Sequence, residues 1–332
     1  MSNELAMYKQ NRIAQLNATF RTNLERLNIN LSNNIRVVQN SRIRNKTIII
    51  NNLIVSYRNT LSNLINSLNS SIKIINLYKP EFNVIKTNNK KALLIGINYI
   101  NTPYELSGCI NDTDKINTLL TNHGFTSINL LTDLTTNKPT KLNILNELKN
   151  ILINSSTGDI LFFYFSGHGS YTYDMSNDET DRRDEMIISC DLQGVLDDEI
   201  KAILTTYMKK DVTLIGLFDS CHSGTMFDLK YCYLDSNNYD KYSENDKVSE
   251  CNGNVIMISG CMDSQTSAES LIDNKIQGAM TWSFIEEINK TPNLSWRELL
   301  KNMRTSLKNS SFTQIPQLST DSFYDIDSKL FI

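Results

Sequence analysis

Residues 159–165, DILFFYF, run directly into Ser166-Gly167-His168-Gly169, and residues 212–218, VTLIGLF, run directly into Asp219-Ser220-Cys221-His222-Ser223-Gly224. Both apolar runs have the length of buried strands, and each ends in reactive side chains. If the two strands are parallel neighbours in one sheet, both ends reach the same rim. There an imidazole and a thiol, far apart in the chain, come within reach of each other. A thiol becomes a strong nucleophile when a nearby imidazole helps remove its proton. Gly167 and Gly169 let the backbone turn tightly, and the Gly169 amide can join the Cys221 amide in facing a developing oxyanion. A His-Gly at a strand end is more often a turn, and a single Cys after a strand is more often core. Their joint occurrence at the exits of the two most apolar strands argues against both readings. His222 is a competing base, but its adjacency to Cys221 aims it elsewhere.

Side chains two apart on a strand share a face. Ser166 therefore points with His168, and Asp219 with Cys221. A carboxylate beside the nucleophile welcomes a basic substrate and repels an acidic one.

Outward from these strands, the chain beyond Lys91 alternates strands with helices. Residues 92–98 (ALLIGIN), 127–132 and 255–259 read as strands. Helical spacing covers 111–121 and 142–153, further helices fall near 280–289 and 296–307, and a last strand lies near 313–318. Such alternation predicts an α/β fold with a mostly parallel central sheet and helices on both faces. Chemistry in such sheets gathers outside the carboxyl ends of the strands.

The first 78 residues follow a different pattern. Ile13, Leu16, Phe20, Leu24, Leu27, Leu31, Ile35 and Val38 repeat every three or four residues, and Ile50, Ile54, Tyr57, Leu61, Leu64, Leu68 and Ile72 do so again. This predicts a helical hairpin over 1–78, with 79–90 as a linker to a catalytic domain over 91–332. Residues 1–88 hold 12 Lys and Arg against 3 Asp and Glu, a net of +9, which leaves −12 on the rest of a chain whose overall charge is −3. A basic arm on an acidic body suggests self-association or autoinhibition through residues 1–78. The few aromatic residues in the arm argue against nucleic acid as a partner. The six cysteines show no CxxC pairing, the N-terminus has no signal-like apolar core, and no stretch reaches membrane-spanning length. These features lead us to expect a cytoplasmic protein with free thiols.

Ser166-Gly167-His168-Gly169 and Asp219-Ser220-Cys221-His222-Ser223-Gly224 resemble the two catalytic motifs of type I metacaspases, members of the caspase-like clan of cysteine peptidases. Further segments resemble the family in the same order: 106–112 (LSGCIND), Asp197-Asp198-Glu199, 259–268 (SGCMDSQTSA), 278–281 (GAMT) and 314–319 (QIPQLS). The resemblance implies a caspase-like sandwich with a p20-like part over 91–229, a flexible linker over 230–254 and a p10-like part over 255–332. It also implies a thiol protease that cleaves proteins or peptides after Arg or Lys, with Cys221 and His168 catalytic and Gly169 at the oxyanion. An acidic pocket would be walled by Cys109, Asp112, Ser166 and Asp219. Ca2+ would be held by Asp184, Asp197, Asp198 and Asp228. Lys230, Lys241 and Lys247, or Lys86, Lys90 and Lys91 at the arm junction, are candidates for self-cleavage of a zymogen. The rival reading is a catalytically silent homologue that acts as a scaffold through its helical arm.

Overall fold

The structure, a computed structural model, describes residues 2–77, 88–173, 183–221, 223–233, 242–245, 248–260, 269–272, 275–322 and 324–330. The chain divides into two units, Met1–Asn83 and Val84–Ile332.

The first unit is a hairpin of α1 (Ser2–Asn40) and α2 (Lys46–Leu77). Asn45 turns the chain at φ 67°, a left-handed conformation that Asn tolerates better than most residues. Tyr57 donates to Asn28 Oδ1 at 2.6 Å, and Lys9 Nζ to the Asn76 carbonyl at 2.9 Å, so the two helices run side by side in opposite directions. The apolar stripes read from the sequence form the seam, and each of their residues is half-buried.

The second unit runs β1 (Lys90–Gly96), α3 (Cys109–Asn122), β2 (Ser127–Thr132), α4 (Lys141–Ile153), β3 (Ile160–Ser166), β4 (Gly169–Tyr173), β5 (Arg183–Ile188), β6 (Gly194–Leu196), α5 (Asp197–Tyr207) and β7 (Thr213–Asp219). It continues through β8 (Tyr231–Tyr233), β9 (Ser243–Glu244), β10 (Asn254–Ser259), β11 (Glu269–Ile272), β12 (Lys275–Gly278), α6 (Ala279–Lys290), α7 (Trp296–Asn309) and β13 (Gln317–Thr320). The main sheet has the order β2-β1-β3-β7-β10-β13-β8-β9. Its first five strands are parallel, and β13, β8 and β9 add antiparallel pairs.

Alternate residues of the apolar strands supply two cores. Leu93, Ile95, Phe163, Phe165, Leu214 and Phe218 pack on one face with Ile144 and Leu148 of α4 and Ile200 and Leu204 of α5. Ala92, Leu94, Phe162, Tyr164, Ile215 and Leu217 pack on the other with Ile116 of α3, Phe284 of α6 and Trp296 and Leu299 of α7. Strands shut in on both sides can be apolar at every position, which is why these runs do not alternate. A capping box starts α7: Ser295 Oγ accepts from Glu298 N, and Glu298 accepts from Ser295 N.

Three expectations change. The segment 230–254, read as a flexible linker, contributes β8 and β9, because β13 offers β8 a free edge. The last strand covers 317–320, not 313–318: Pro316 has no amide to donate, and its carbonyl is taken by Arg304 Nε at 2.8 Å. Lys90 and Lys91 are the first residues of β1, with Lys91 Nζ 3.0 Å from the buried Asp159 carboxylate, so cleavage after either would cut a paired strand. Lys86, Lys241 and Lys247 lie outside the described residues.

Candidate active site

The register of β3 against β7 decides what meets at the rim. Ser166 pairs with Asp219, so His168 and Cys221, each two residues further on, leave the sheet at the same edge. Gly169 is packed so closely on the second of these segments that a Cβ there would overlap the Cys221 carbonyl oxygen. Only glycine fits. Both His168 and Cys221 are half-buried, reachable by solvent but held by structure. His222 lies outside the described residues.

Three contacts hold His168, two on its ring and one on its backbone. Its Nε2 lies 2.8 Å from the Tyr104 carbonyl oxygen. A carbonyl can only accept, so Nε2 carries the hydrogen and, in the neutral ring, Nδ1 keeps the lone pair of a base. The Tyr99 ring lies against the imidazole at 4.7 Å between centroids, tilted by 38°. The Tyr99 hydroxyl accepts from His168 N at 2.8 Å and donates to the Ile188 carbonyl at 2.6 Å. Burial pushes the Tyr99 phenol far above its ordinary pKa, so it stays a neutral hydroxyl in both bonds.

Below the rim, Cys109, Asp112, Ser166 and Asp219 are all buried. Asp219 Oδ2 accepts from Thr281 N at 2.9 Å and from Thr281 Oγ1 at 2.7 Å. Because that hydroxyl gives its proton to the carboxylate, the Tyr164 hydroxyl, 2.8 Å away, donates to Thr281. Burial, then the charges of Asp112 and Asp219, push the Tyr164 phenol well up. Asp112 Oδ2 accepts from Gly278 N at 2.7 Å, and a Cβ on Gly278 would overlap Asp219 Oδ2. The two carboxylates thus converge on the start of α6. Asp112 is more than a helix-start carboxylate, since its partner lies 166 residues away. A cleft of about 330 Å³ opens beside Tyr99, Asp133, Lys138 and Cys190, and none of the four pocket residues lines it.

The match to known proteins bears on this arrangement. Residues 90–230, from β1 to just past the Asp219–Gly224 segment, match the family model described as metacaspase, peptidase C14 domain. Metacaspase-1 of Kluyveromyces lactis is 35% identical over 298 residues, 74% of this chain and 68% of that protein. Metacaspase-1 of Scheffersomyces stipitis is 34% identical over 69% of this chain and 70% of its own. Metacaspase-1A of Aspergillus oryzae is 36% identical over 70% and 68%. The chain belongs to the metacaspase family. It is therefore assigned to the cysteine-type peptidases. The crystal structure of protein GSU0716 from Geobacter sulfurreducens shares the fold, with a TM-score of 0.56 at 24% identity over 73% of this chain and 98% of that one.

Among the described residues, one group of carboxylates is arranged as a metal ion would need. Ligand oxygens of Asp197, Asp198 and Asp228 all lie within 4.8 Å of one another. Asp197 opens α5, where its Oδ2 accepts from Glu185 N at 2.7 Å and its Oδ1 from Asp198 N at 2.8 Å. Asp228 stands at φ 44°, and its carbonyl accepts from Lys201 Nζ at 2.7 Å. Lys201 also pairs with the fully buried Asp321 at 3.1 Å. Three hard carboxylate oxygens in one place suit a divalent cation of the calcium type. Asp184 lies outside this group of three; it is buried on β5, one residue before the Glu185 amide that binds Asp197. Among the described residues no helix is long and apolar enough to cross a membrane.

Sequence reasoning missed Tyr99, Tyr104 and Thr281 as parts of the site. Tyr104 acts through its backbone, which no side-chain pattern reveals. The nearest signal for Tyr99 is its place at the end of the ALLIGIN strand, one residue beyond the apolar run.

Proposed function

We propose that the chain is a calcium-dependent cysteine endopeptidase that cleaves after Arg or Lys, with Cys221 as nucleophile and His168 as base and then acid. The observation that carries this reading is the β3–β7 register, which sends His168 and Cys221 to one rim above two buried carboxylates.

In the reaction, Nδ1 of His168 takes the Cys221 thiol proton. The thiolate adds to the scissile carbonyl carbon while the backbone amides of Gly169 and Cys221 face the oxyanion. The C–N bond then breaks, the leaving amine takes the proton from the imidazolium, and a thioester remains on Cys221. Water deprotonated by His168 hydrolyses the thioester, releasing the acid and restoring the thiol. The Tyr104 carbonyl stabilises the imidazolium by keeping its bond to Nε2–H. Asp112 and Asp219, with Cys109 and Ser166, form a pocket whose negative charge selects a basic side chain before the cut bond. Ca2+ would be held by Asp197, Asp198 and Asp228, with Asp184 as a further candidate ligand, and when bound it would neutralise mutually repelling carboxylates at the start of α5 and on the loop that follows the nucleophile.

The experiment is hydrolysis of fluorogenic peptides ending in Arg, Lys or Asp, with calcium or a chelator. Turnover of the Arg and Lys peptides alone, lost in Cys221→Ala and on chelation, is the expected result. Equal cutting after Asp overturns the pocket assignment, and no turnover at all returns the scaffold reading. Calorimetric titration of calcium into the inactive Cys221→Ala protein and its Asp228→Asn derivative tests the metal assignment independently of turnover. Self-cleavage within 230–254, after Lys230, Lys241 or Lys247, belongs to the same reading and is tested by mapping new termini after calcium addition; a cut after Lys230 would fall at the edge of the paired strand β8. The basic arm is assigned to self-association or inhibition, which light scattering and activity against protein concentration separate.

A further inference from the structure

Two tyrosine rings flank the catalytic imidazole, and they differ in kind. Tyr99 is 1% exposed and bonded through its hydroxyl on both sides. Tyr104 is 58% exposed and stands edge-on to His168, with centroids 6.5 Å apart and planes at 84°. An incoming chain can therefore touch Tyr104 and not Tyr99. The loop that carries Tyr104 is well tied. Tyr104 N donates to Thr102 Oγ1 at 3.2 Å, Thr102 Oγ1 donates to the Tyr99 carbonyl at 2.7 Å, and Leu106 N donates to the Asn98 carbonyl at 2.8 Å. Its ring stays in water although its backbone is pinned.

The chemistry says which part of the substrate passes there. Breaking the C–N bond requires the leaving amine to take its proton from the imidazole, so the residue after the cut bond must lie on the imidazole side of Cys221. Tyr104 presents an exposed ring edge-on to that imidazole. Resting on the catalytic assignment above, we infer that Tyr104 is a specificity-determining residue that forms a subsite for the side chain immediately after the cut bond and favours a large apolar or aromatic one. A ring of this kind gains contact area with Phe or Leu, gains little from Gly and nothing from the charge of Asp.

The test uses the full-length protein with calcium and a library of internally quenched peptides randomised on both sides of the cut bond. The residue found before the bond reports on the proposed function, and the residue after it reports on Tyr104, so the two can fail separately. The wild-type protein is expected to cut Phe- or Leu-following bonds about three- to tenfold faster in kcat/KM than Gly- or Asp-following ones, the size of one aromatic contact. Tyr104→Ala should flatten that ratio, and Tyr104→Phe should keep it. Tyr104→Arg should raise cutting before Asp, a gain that a merely damaged protein cannot produce. A wild-type profile indifferent to the following residue, or a preference that survives both Tyr104→Ala and Tyr104→Arg, overturns the inference. A library left wholly uncut overturns it together with the catalytic reading.

Discussion

In the arm, every residue of both apolar stripes stays half-exposed, whereas in the body Phe162, Phe163, Phe165, Leu217 and Phe218 are 1% exposed or less. The difference follows from the number of layers. Two helices share one seam, and each seam residue keeps solvent on its flank. A sheet with helices on both faces is shut in on both sides. A site that must hold an imidazole and a thiol in register needs the second kind of frame, since close packing resists the small shifts that would part them. The arm's seam sets no such geometry.

Cys221→Ala is the largest separation of chemistry from frame. Peptide hydrolysis should fall by about a thousandfold or more, while the thermal melt stays within a few degrees of wild type, because the removed atom is half-buried at a rim and not in either core. Residual turnover near the wild-type rate would remove Cys221 from the mechanism. Next comes the frame itself. Phe163→Ala deletes a ring packed against Phe218 at 5.4 Å and Phe227 at 5.8 Å and should cost about 3–5 kcal/mol in denaturant unfolding. A loss below about 1 kcal/mol would mean that the core can collapse into the gap, against the rigidity argued above.

The parts of this design that can be read from residues alone are those carried by side-chain period and strand length. Seven-residue apolar runs mark β3 and β7, and three-or-four spacing marks the arm seam. What escapes is set by backbone partners or by a neighbour's free edge. Tyr104 contributes a carbonyl. Tyr99 reaches the Ile188 carbonyl 89 residues away. The short strands β4, β5 and β6 are polar in part and gain their order by pairing with one another. Tyr231–Tyr233, inside a polar and tyrosine-rich stretch, becomes a strand because β13 lies open beside it.

Tyr99→Phe lies between frame and chemistry. It removes one hydroxyl that bridges His168 N and the Ile188 carbonyl and leaves the ring against the imidazole. The two hydrogen bonds lost with that hydroxyl are worth about 1 kcal/mol each. As the hydroxyl bonds the backbone of the base, the loss should fall on kcat by roughly thirtyfold or less, with KM nearly unchanged. An increase in KM at constant kcat would place Tyr99 in substrate binding instead.

The smallest effect belongs to the arm. Leu24 and Leu61 are half-buried seam residues, so truncation to Ala forfeits only part of the roughly 1.5–3 kcal/mol that full burial of a leucine supplies. The cavity term that enlarges core losses should be nearly absent, because solvent reaches the flank of the seam and fills the space. Each variant should therefore cost about 1 kcal/mol or less in the unfolding of the arm helices followed by circular dichroism. Loss from the pair together should depart from the sum, because the register set by the Lys9–Asn76 and Tyr57–Asn28 bonds places the two leucines opposite each other across the seam. A cost as large as that of Phe163→Ala would mean that these leucines are covered more deeply in solution than two helices can cover them. That outcome would make the arm, like the sheet, a layer closed on both sides.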